Sequence, residues 1–391
     1  MEQTMNSVSS NKKTLSTFEA SAIITGYGIG GGVMAMPVLV NKVGIIMAIG
    51  ILLIALLANY LMHLMIADLV LKCGKDSQII DIFNKFIFKG KAKKVLTIIV
   101  FAIVALVLYA NLAVYIAGAG EIINKLFPQI PLIATKFIFY GFALLTGFFG
   151  LKILGISEKY TIIVIFGMVI ALMVGSCFNI KNTLSINISG FRDVLAYLGV
   201  AMFAFIAFFS IPQVVNGLDG DKKKINKSII LGMLMNLLII LIVVIFSLLS
   251  ASDVTKDDAP FIIYWAQGIG PWAEIVGNIF VLLAMLTTYW SISFALRDII
   301  KSAIHKNNII CILIATIPAL LISIIPSESF IKLLDLTAGA IAILIGIFVI
   351  PAFFIARRKN NNESMLGIFG SLPFQIFTVV MFILMAVGSI I

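Results

Sequence analysis

ITGYGIGGGVMAMP, residues 24–37, lies inside a run that is apolar on both sides, and it spells its own interruption. Gly26, Gly28, Gly30, Gly31 and Gly32 place five glycines within seven residues, and Pro37 follows. Each Gly costs a helix interior roughly 1 kcal/mol relative to Ala, so a helix crossing this stretch should unwind near its middle. The surrounding run, 18–40, has about the ~20 residues that span a ~30 Å hydrocarbon core. A second stretch of the same kind, FAFIAFFSIPQVVNG at 203–217, carries Pro212, which removes a backbone hydrogen bond and clashes with the preceding turn. A break is expected there at residues 208–211. Each feature alone has a plainer explanation: Gly28 and Gly32 suit close helix packing, and Pro212 suits an ordinary membrane-helix kink. Their joint occurrence at matching positions of two halves points to broken helices. The glycines are no dinucleotide fingerprint, since no strand precedes them.

Working outward, the chain has 391 residues, 61% hydrophobic and only 12% charged, where a soluble domain has about 25% charged residues. Most of the outside must therefore face lipid. Further apolar stretches run over 43–71, 94–124, 132–151, 160–178, 194–217, 225–250, 272–296, 309–325, 336–356 and 366–391, giving about eleven transmembrane helices in an all-α polytopic membrane protein. Placing residues 1–17 in the cytoplasm as a tail puts 21 of the 28 Lys and Arg in inner loops, with the C-terminus outside. Lys12, Lys13, Lys75, the cluster Lys222 to Lys227 and Arg357 to Lys359 are among them; the outer loop SDVTKDD at 252–258, with Lys256, is acidic. The net charge of +10 then reads as affinity for a bilayer with an anionic inner leaflet, not for nucleic acid. Residues 1–17 lack the apolar core and cleavage site of a signal peptide. Cys73, Cys177 and Cys311 are too dispersed for a disulfide framework or a zinc site.

Interrupted helices opening each of two five-helix halves, 18–178 and 194–356, signal a 5+5 inverted repeat with broken helices 1 and 6, and 366–391 is then an extra eleventh helix. The residues also resemble a known family. GIGGGVMAMPVLVNKVG (28–44) resembles the signature that opens the amino acid/auxin permeases of the amino acid/polyamine/organocation superfamily, and FIAFFSIPQVVNGLDGDKKKINKSI (205–229) is similar to that family's sixth helix and its Asp/Lys-rich loop. The resemblance implies the leucine-transporter fold and secondary transport of amino acids by alternating access. One departure is that Ile206, Ala207, Phe208 and Phe209 stand where relatives place Gly.

By analogy with that fold, the backbone freed at Gly28, Gly30, Gly31 and Gly32 would meet a substrate carboxylate with N–H groups and a helix dipole, and carbonyls from Ala204 to Ala207 and near Thr25 would accept from the ammonium. Phe205, Phe208 and Phe209 would wall an apolar side chain, which predicts a neutral, large apolar or aromatic L-amino acid. Tyr109, Asn111 and Tyr115 form the polar cluster of the third span, and a third-helix Tyr, taken as Tyr109, is expected at the carboxylate. The eighth span reads AMLTTYWS, and Ala-x-x-Thr-Thr resembles the Ala-x-x-Thr-Ser pattern of sodium-coupled members. Ala284, Thr287 and Thr288, with first-helix carbonyls near Thr25 and Gly28, would then hold Na+. The competing explanation is that the Thr hydroxyls simply bond their own i−4 carbonyls.

All 18 carboxylates are read as lying in loops or near span ends, with Asp68, Glu121, Glu274, Asp298 and Asp335 marking boundaries, so coupling leans towards Na+ over H+. A lone intramembrane His63 is read as structural in preference to a proton relay. No Walker motif, metal triad or catalytic constellation is present, which excludes a pump and an enzyme. The expectation is a plasma-membrane importer with no cofactor beyond Na+ as coupling ion and no obligate protein partner. A non-transporting amino acid sensor on the same fold is the alternative.

Overall fold

The first helix starts where its sequence can cap it. In this computed structural model, which describes residues 14–74, 76–186, 190–255, 260–325, 330–359 (side chains from 338) and 364–389, Ser16 accepts from the Glu19 N–H and Glu19 accepts from the Ser16 N–H. That reciprocal cap opens α1 (Thr17–Gly28). The Ile29 N–H still reaches the Thr25 carbonyl, but Gly30 then leaves helical geometry (φ −52°, ψ −127°) and α2 (Gly31–Val43) departs at 55° to α1. The glycines break the span; Pro37 sits inside α2 without ending it.

The sixth span breaks earlier than its proline suggests. Here α8 (Phe191–Phe203) stops, residues 204–207 are irregular, a 3-10 turn covers Phe208–Ser210, and α9 (Ile211–Gly217) completes the crossing. The break thus covers 204–210, not 208–211. Pro212 lies in the first turn of α9, where its missing N–H costs no ladder bond and its fixed φ suits helix entry. It starts the second half-helix and does not bend a continuous one.

Between and after the broken spans come α3 (Ile45–Cys73), α4 (Ile79–Phe86), α5 (Lys93–Leu126), α6 (Leu132–Gly147) and α7 (Leu151–Cys177), then α10 (Lys222–Ser250), α11 (Ile262–Ile269), α12 (Pro271–Ile304), α13 (Asn308–Ile324) and α14 (Phe330–Lys359), and finally α15 (Leu372–Gly388). The two series match element for element. A 29-residue helix follows each broken span, an 8-residue helix comes next, then one of 34, then one of 16 or 17, then one of 27 or 30. With the shorter α6 and α13 counted as crossings, each series has five spans, an odd number, so the second series enters the membrane from the opposite face and the repeat is inverted.

Seven helices are long and apolar enough to cross a membrane, eight with the bent α1–α2 pair counted as one span. The hydropathy reading has eleven. The difference is α6, α13 and α15, which at 16 or 17 residues fall short of the ~20 residues a crossing needs while occupying the fourth, ninth and eleventh stretches. No strand occurs among the described residues. Lys12, Lys13, Lys75, Lys256, Asp257 and Asp258, and the side chains of Lys332 and Asp335, lie outside the described residues.

Packing puts the two breaks at the centre. α1 is seated between α7, α10 and α12, while α2 lies against α8, which is backed by α3 and α15. Outward faces are apolar: Leu106, Phe142 and Ile163 are exposed, as suits lipid contact. Polar groups instead collect inside, around the breaks, where Thr25, Ser291, Thr287, Thr288, Asn236, His63 and Glu158 are all buried. At one end of the bundle Asp221 caps α10, and the N–H groups of Lys224 and Lys223 hold its carboxyl below the usual carboxylate range.

Candidate functional site

A break frees particular backbone groups. In a continuous helix the Gly30 and Gly31 N–H groups would bond the carbonyls of Gly26 and Tyr27. Here the Gly31 N–H donates to the Tyr115 hydroxyl of α5 (3.2 Å), and the carbonyls of Gly26 and Tyr27 face α12. The Thr288 hydroxyl lies 2.9 Å from the Gly26 carbonyl, 3.4 Å from that of Tyr27 and 3.0 Å from that of Ala284 in its own helix. One hydroxyl proton cannot satisfy three carbonyls, so oxygen lone pairs remain at this seam. Gly30 is enclosed by the same two side chains: an added Cβ would lie 2.5 Å from the Tyr115 hydroxyl and 2.6 Å from Thr288 Oγ1.

Gly28 and Gly32 face the other break. An added Cβ at Gly32 would lie 2.7 Å from the Cβ of Ala204, and one at Gly28 would lie 2.8 Å from the Ala204 carbonyl and collide with Asn236. The small-residue packing explanation and the broken-helix explanation thus both hold, one through Gly28 and Gly32 and the other through Gly30 and Gly31. The sixth-span break is held by side chains from elsewhere. Asn236 of α10 donates its amide to the Ala204 carbonyl (2.5 Å), and His63 of α3 holds Ala207. The His63 Nδ1 lies 2.7 Å from the Asn59 carbonyl and its Nε2 lies 3.1 Å from the Ala207 N. The carbonyl requires a proton on Nδ1, which leaves Nε2 as the lone pair that accepts from Ala207. His63 therefore anchors the unwound segment, in keeping with a structural role.

Several expected residues are placed elsewhere. Tyr109 points away: its hydroxyl donates to the Ile314 carbonyl of α13 (2.9 Å), and Tyr115 stands at the break in its place. Phe208 packs on His63 (ring centroids 4.9 Å) and on Phe382 of α15 (5.6 Å), so it backs the break on the α3 side. Phe205 and Phe209 are buried in the same segment. The Thr25 hydroxyl donates within α1 to Ser21 or across to the Gly232 carbonyl of α10, and its own carbonyl caps α1; Gly28 faces α10 and α8. The pair of α1 carbonyls facing Thr288 is thus Gly26 and Tyr27, not Thr25 and Gly28. Thr287 donates to the Ala284 carbonyl (3.0 Å), as back-bonding residues do.

Two buried groups escaped the sequence reading. Glu158 sits on α7, seven residues past the start of that helix and so about 10 Å along it, fully buried. Its Oε1 accepts from Ser291 (2.9 Å), and its Oε2 lies against Gly26 without a hydrogen-bond partner. The statement that every carboxylate lies in a loop or at a span end therefore fails at this residue. Asn236, whose Oδ1 is also unpartnered, was legible as a single amide in the apolar run MLMNLLIIL. No His, Cys, Asp and Glu group that could hold a metal ion occurs among the described residues.

Beyond the crossing, a polar chamber of about 410 Å³ is lined by Asp76, Gln78, Gln213, Asn216, Asp298 and Lys301. It lies at the end of the bundle that carries α9, the start of α7 and the end of α12.

Known proteins share this fold. MhsT in complex with L-phenylalanine superposes with a TM-score of 0.67 at 12% identity, over 96% of this chain and 99% of that one. Mhp1, a nucleobase-cation-symport-1 family transporter in a closed conformation with bromovinylhydantoin bound, gives 0.63 at 14%, over 97% and 91%. These likenesses show the leucine-transporter fold. In sequence, Glutamine transporter 2 of Aliivibrio fischeri is 23% identical over 357 residues, 89% of this chain and 90% of that protein. Tyrosine-specific transport system 1 of Haemophilus influenzae is 22% identical over 372 residues, 88% and 90%. These relatives are transporters and not enzymes. Where the sequence resembles the amino acid/auxin permeases, the family model found to match is that of the tryptophan/tyrosine permease family, over residues 13–390, and the chain belongs to that family of membrane transporters.

Proposed function

We propose that this protein is a secondary active transporter that imports a neutral L-amino acid, large apolar or aromatic, by alternating access and in step with a monovalent cation, Na+ being preferred. The observation that carries the reading is the crossing of two broken spans at Gly28 and Gly32 against Ala204, with free backbone and unpartnered oxygens beside it. A zwitterion needs donors and acceptors at one place in a low-dielectric interior. The Gly31 N–H and the N-terminal dipole of α2 suit its carboxylate, with Tyr115 exchanging its bond to Gly31 for one to the substrate. Asn236 Oδ1 and the carbonyls of the sixth-span break suit the ammonium, and Phe205 and Phe209 suit an apolar side chain. The names of the two relatives, one for glutamine and one for tyrosine, agree on neutral side chains.

Residues 18–178 and 194–356 act as the two repeats, with 366–391 outside them. The excess of Lys and Arg in the loops assigned to the inside supports a cytoplasmic N-terminus and an outside C-terminus, in a plasma membrane with an anionic inner leaflet. The polar chamber beneath α9 then opens on the cytoplasm as the route of release. Thr288, Ala284 and the neighbouring α1 carbonyls supply neutral oxygens for the cation.

Purified protein in proteoliposomes tests this. Labelled tyrosine, tryptophan, phenylalanine, leucine or glutamine should show counterflow and, with an inward cation gradient, accumulation. Saturable binding without counterflow would make the protein a sensor, and lysine or glutamate outcompeting the neutral amino acids would overturn the substrate class. Replacing Na+ by choline at fixed pH should abolish accumulation.

A further inference from the structure

Among the described residues three carboxylates are buried: Glu19, Asp68 and Glu158. Two have ammonium partners, Glu19 with Lys152 at 2.6 Å and Asp68 with Lys72 at 2.7 Å. Glu158 has none, although it is the most deeply buried of the three and lies beside the α1 break, where the freed carbonyls are. Its Oε1 takes the Ser291 hydroxyl, which is also 3.3 Å from the Ile23 carbonyl. Its Oε2 takes nothing.

The charged groups on every helix around it are engaged elsewhere or stand at the surface. On α7 itself Lys152 is paired with Glu19 of α1, and the Lys159 ammonium lies over the Tyr160 ring (4.6 Å). On α12 Arg297 is paired with Asp298, while Lys301 donates to Asn308. On α6 Lys136 donates to the Ser323 carbonyl. The lysines of α10, Lys222, Lys223, Lys224 and Lys227, are exposed at its first turns, and α9 and α11 carry no charged residue. A carboxylate enclosed this way is costly unless one positive charge joins it, and neutral oxygens alone cannot supply that charge.

We propose that Glu158 is the charged ligand of the coupling cation. One positive charge, delivered to Oε2 as Na+ or as a proton, is what allows α1, α7 and α12 to close on one another. The assignment rests on the transport reading and adds to it the residue through which ion and substrate are linked. With the charge absent, the ionised carboxylate opposes closure of the seam. With it present the seam closes, and the α1 break reaches the arrangement in which Gly31 meets the substrate. Each site thereby raises the affinity of the other, since linkage is reciprocal.

The test compares wild type, Glu158→Gln, Glu158→Asp and Ser291→Ala in proteoliposomes, reading counterflow and gradient-driven accumulation separately. An inward Na+ gradient at equal pH forms one arm, and an inward proton gradient with choline replacing Na+ forms the other. Whichever gradient drives the wild type names the ion. Glu158→Gln keeps the shape and a polar contact for Ser291 but loses the charge, so counterflow should persist while accumulation falls to an inside-to-outside ratio of one under either gradient. Glu158→Asp should retain accumulation, and Ser291→Ala should raise the half-saturating cation concentration at unchanged counterflow capacity. Glu158→Gln that accumulates with wild-type ion dependence overturns the assignment. Should that variant fail to insert, an unshifted cation dependence in Ser291→Ala overturns it equally. Wild-type liposomes without counterflow would instead strike down the transport reading itself.

Discussion

Gly32→Ala tests whether transport uses the contact between the two broken spans. The new Cβ would lie 2.7 Å from Ala204 Cβ and 2.8 Å from Ala204 Cα, against an ordinary carbon–carbon contact of about 3.5–4.0 Å. The shortfall is close to ~1 Å, and neither neighbour is the end of a flexible side chain, so no rotamer change relieves it and α2 must draw away from α8. Overpacking of this sort costs about 1–3 kcal/mol. At about 1.4 kcal/mol per tenfold, the closed crossing is disfavoured by roughly 5- to 150-fold. The assay is the initial rate of uptake per folded transporter, with melting temperature in detergent as the measure of folding. Gly50→Ala on α3 is the control, because nothing lies within 4 Å of its added Cβ, and it should be neutral or slightly stabilising. Ala204→Gly introduced with Gly32→Ala removes the nearest of the clashing atoms while the Ala204 backbone remains, so it should restore part of the rate. Gly32→Ala transporting as fast as Gly50→Ala would refute the reasoning. So would an equal loss of rate with and without Ala204→Gly.

Substitutions at three further positions probe the groups around that contact. Gly31→Val should abolish transport while leaving the protein inserted, since a β-branched side chain stiffens the break and fills the space before α2; loss of inserted protein in step with transport would restore a pure packing role. His63→Leu leaves the Ala207 N–H without its acceptor at a cost of about 1–3 kcal/mol, which should lower the melting temperature and the uptake rate together, while His63→Gln, whose amide oxygen can accept, should recover part of both; equal behaviour of the two would remove the anchoring role. Thr288→Ala should raise the cation concentration for half-maximal uptake much more than it weakens substrate affinity at saturating cation, and identical cation titrations of variant and wild type would reduce Thr288 to a helix-packing residue.

How much of this was legible depends on whether the cause is local. The α1 break was readable because glycine propensity is a property of the segment, and Gly30 unwinds where five glycines say it should. The sixth-span break was placed late because Pro212 is visible in the sequence, whereas the groups that hold residues 204–207 out of the helix come from elsewhere: His63 from α3 and Asn236 from α10. Their separations of about 144 and 32 residues leave no mark on the segment itself. The candidate site failed at finer grain for a geometric reason. Neighbouring residues on a helix point about 100° apart, so an offset of one or two positions changes the face: Gly26 and Tyr27 present carbonyls to Thr288 where Thr25 and Gly28 do not, and Tyr115 reaches Gly31 while Tyr109, six residues earlier and about 120° around, bonds α13.

Glu158 shows the same rule at its most consequential. Adjacent Glu158 and Lys159 read as a charged pair marking the edge of the fifth span, and hydropathy averaging gives both to the loop. The helix separates them: Lys159 turns outward over the Tyr160 ring, while Glu158 turns inward to Ser291 and Gly26. A span that begins at Leu151 can carry an ionisable group inside without looking charged, because the lysines around it, Lys152 and Lys159, are accounted for by other partners. Average polarity therefore locates the membrane-crossing segments of this protein but not the carboxylate proposed to hold the coupling cation, which is the one residue of a charged pair that the helix turns inward.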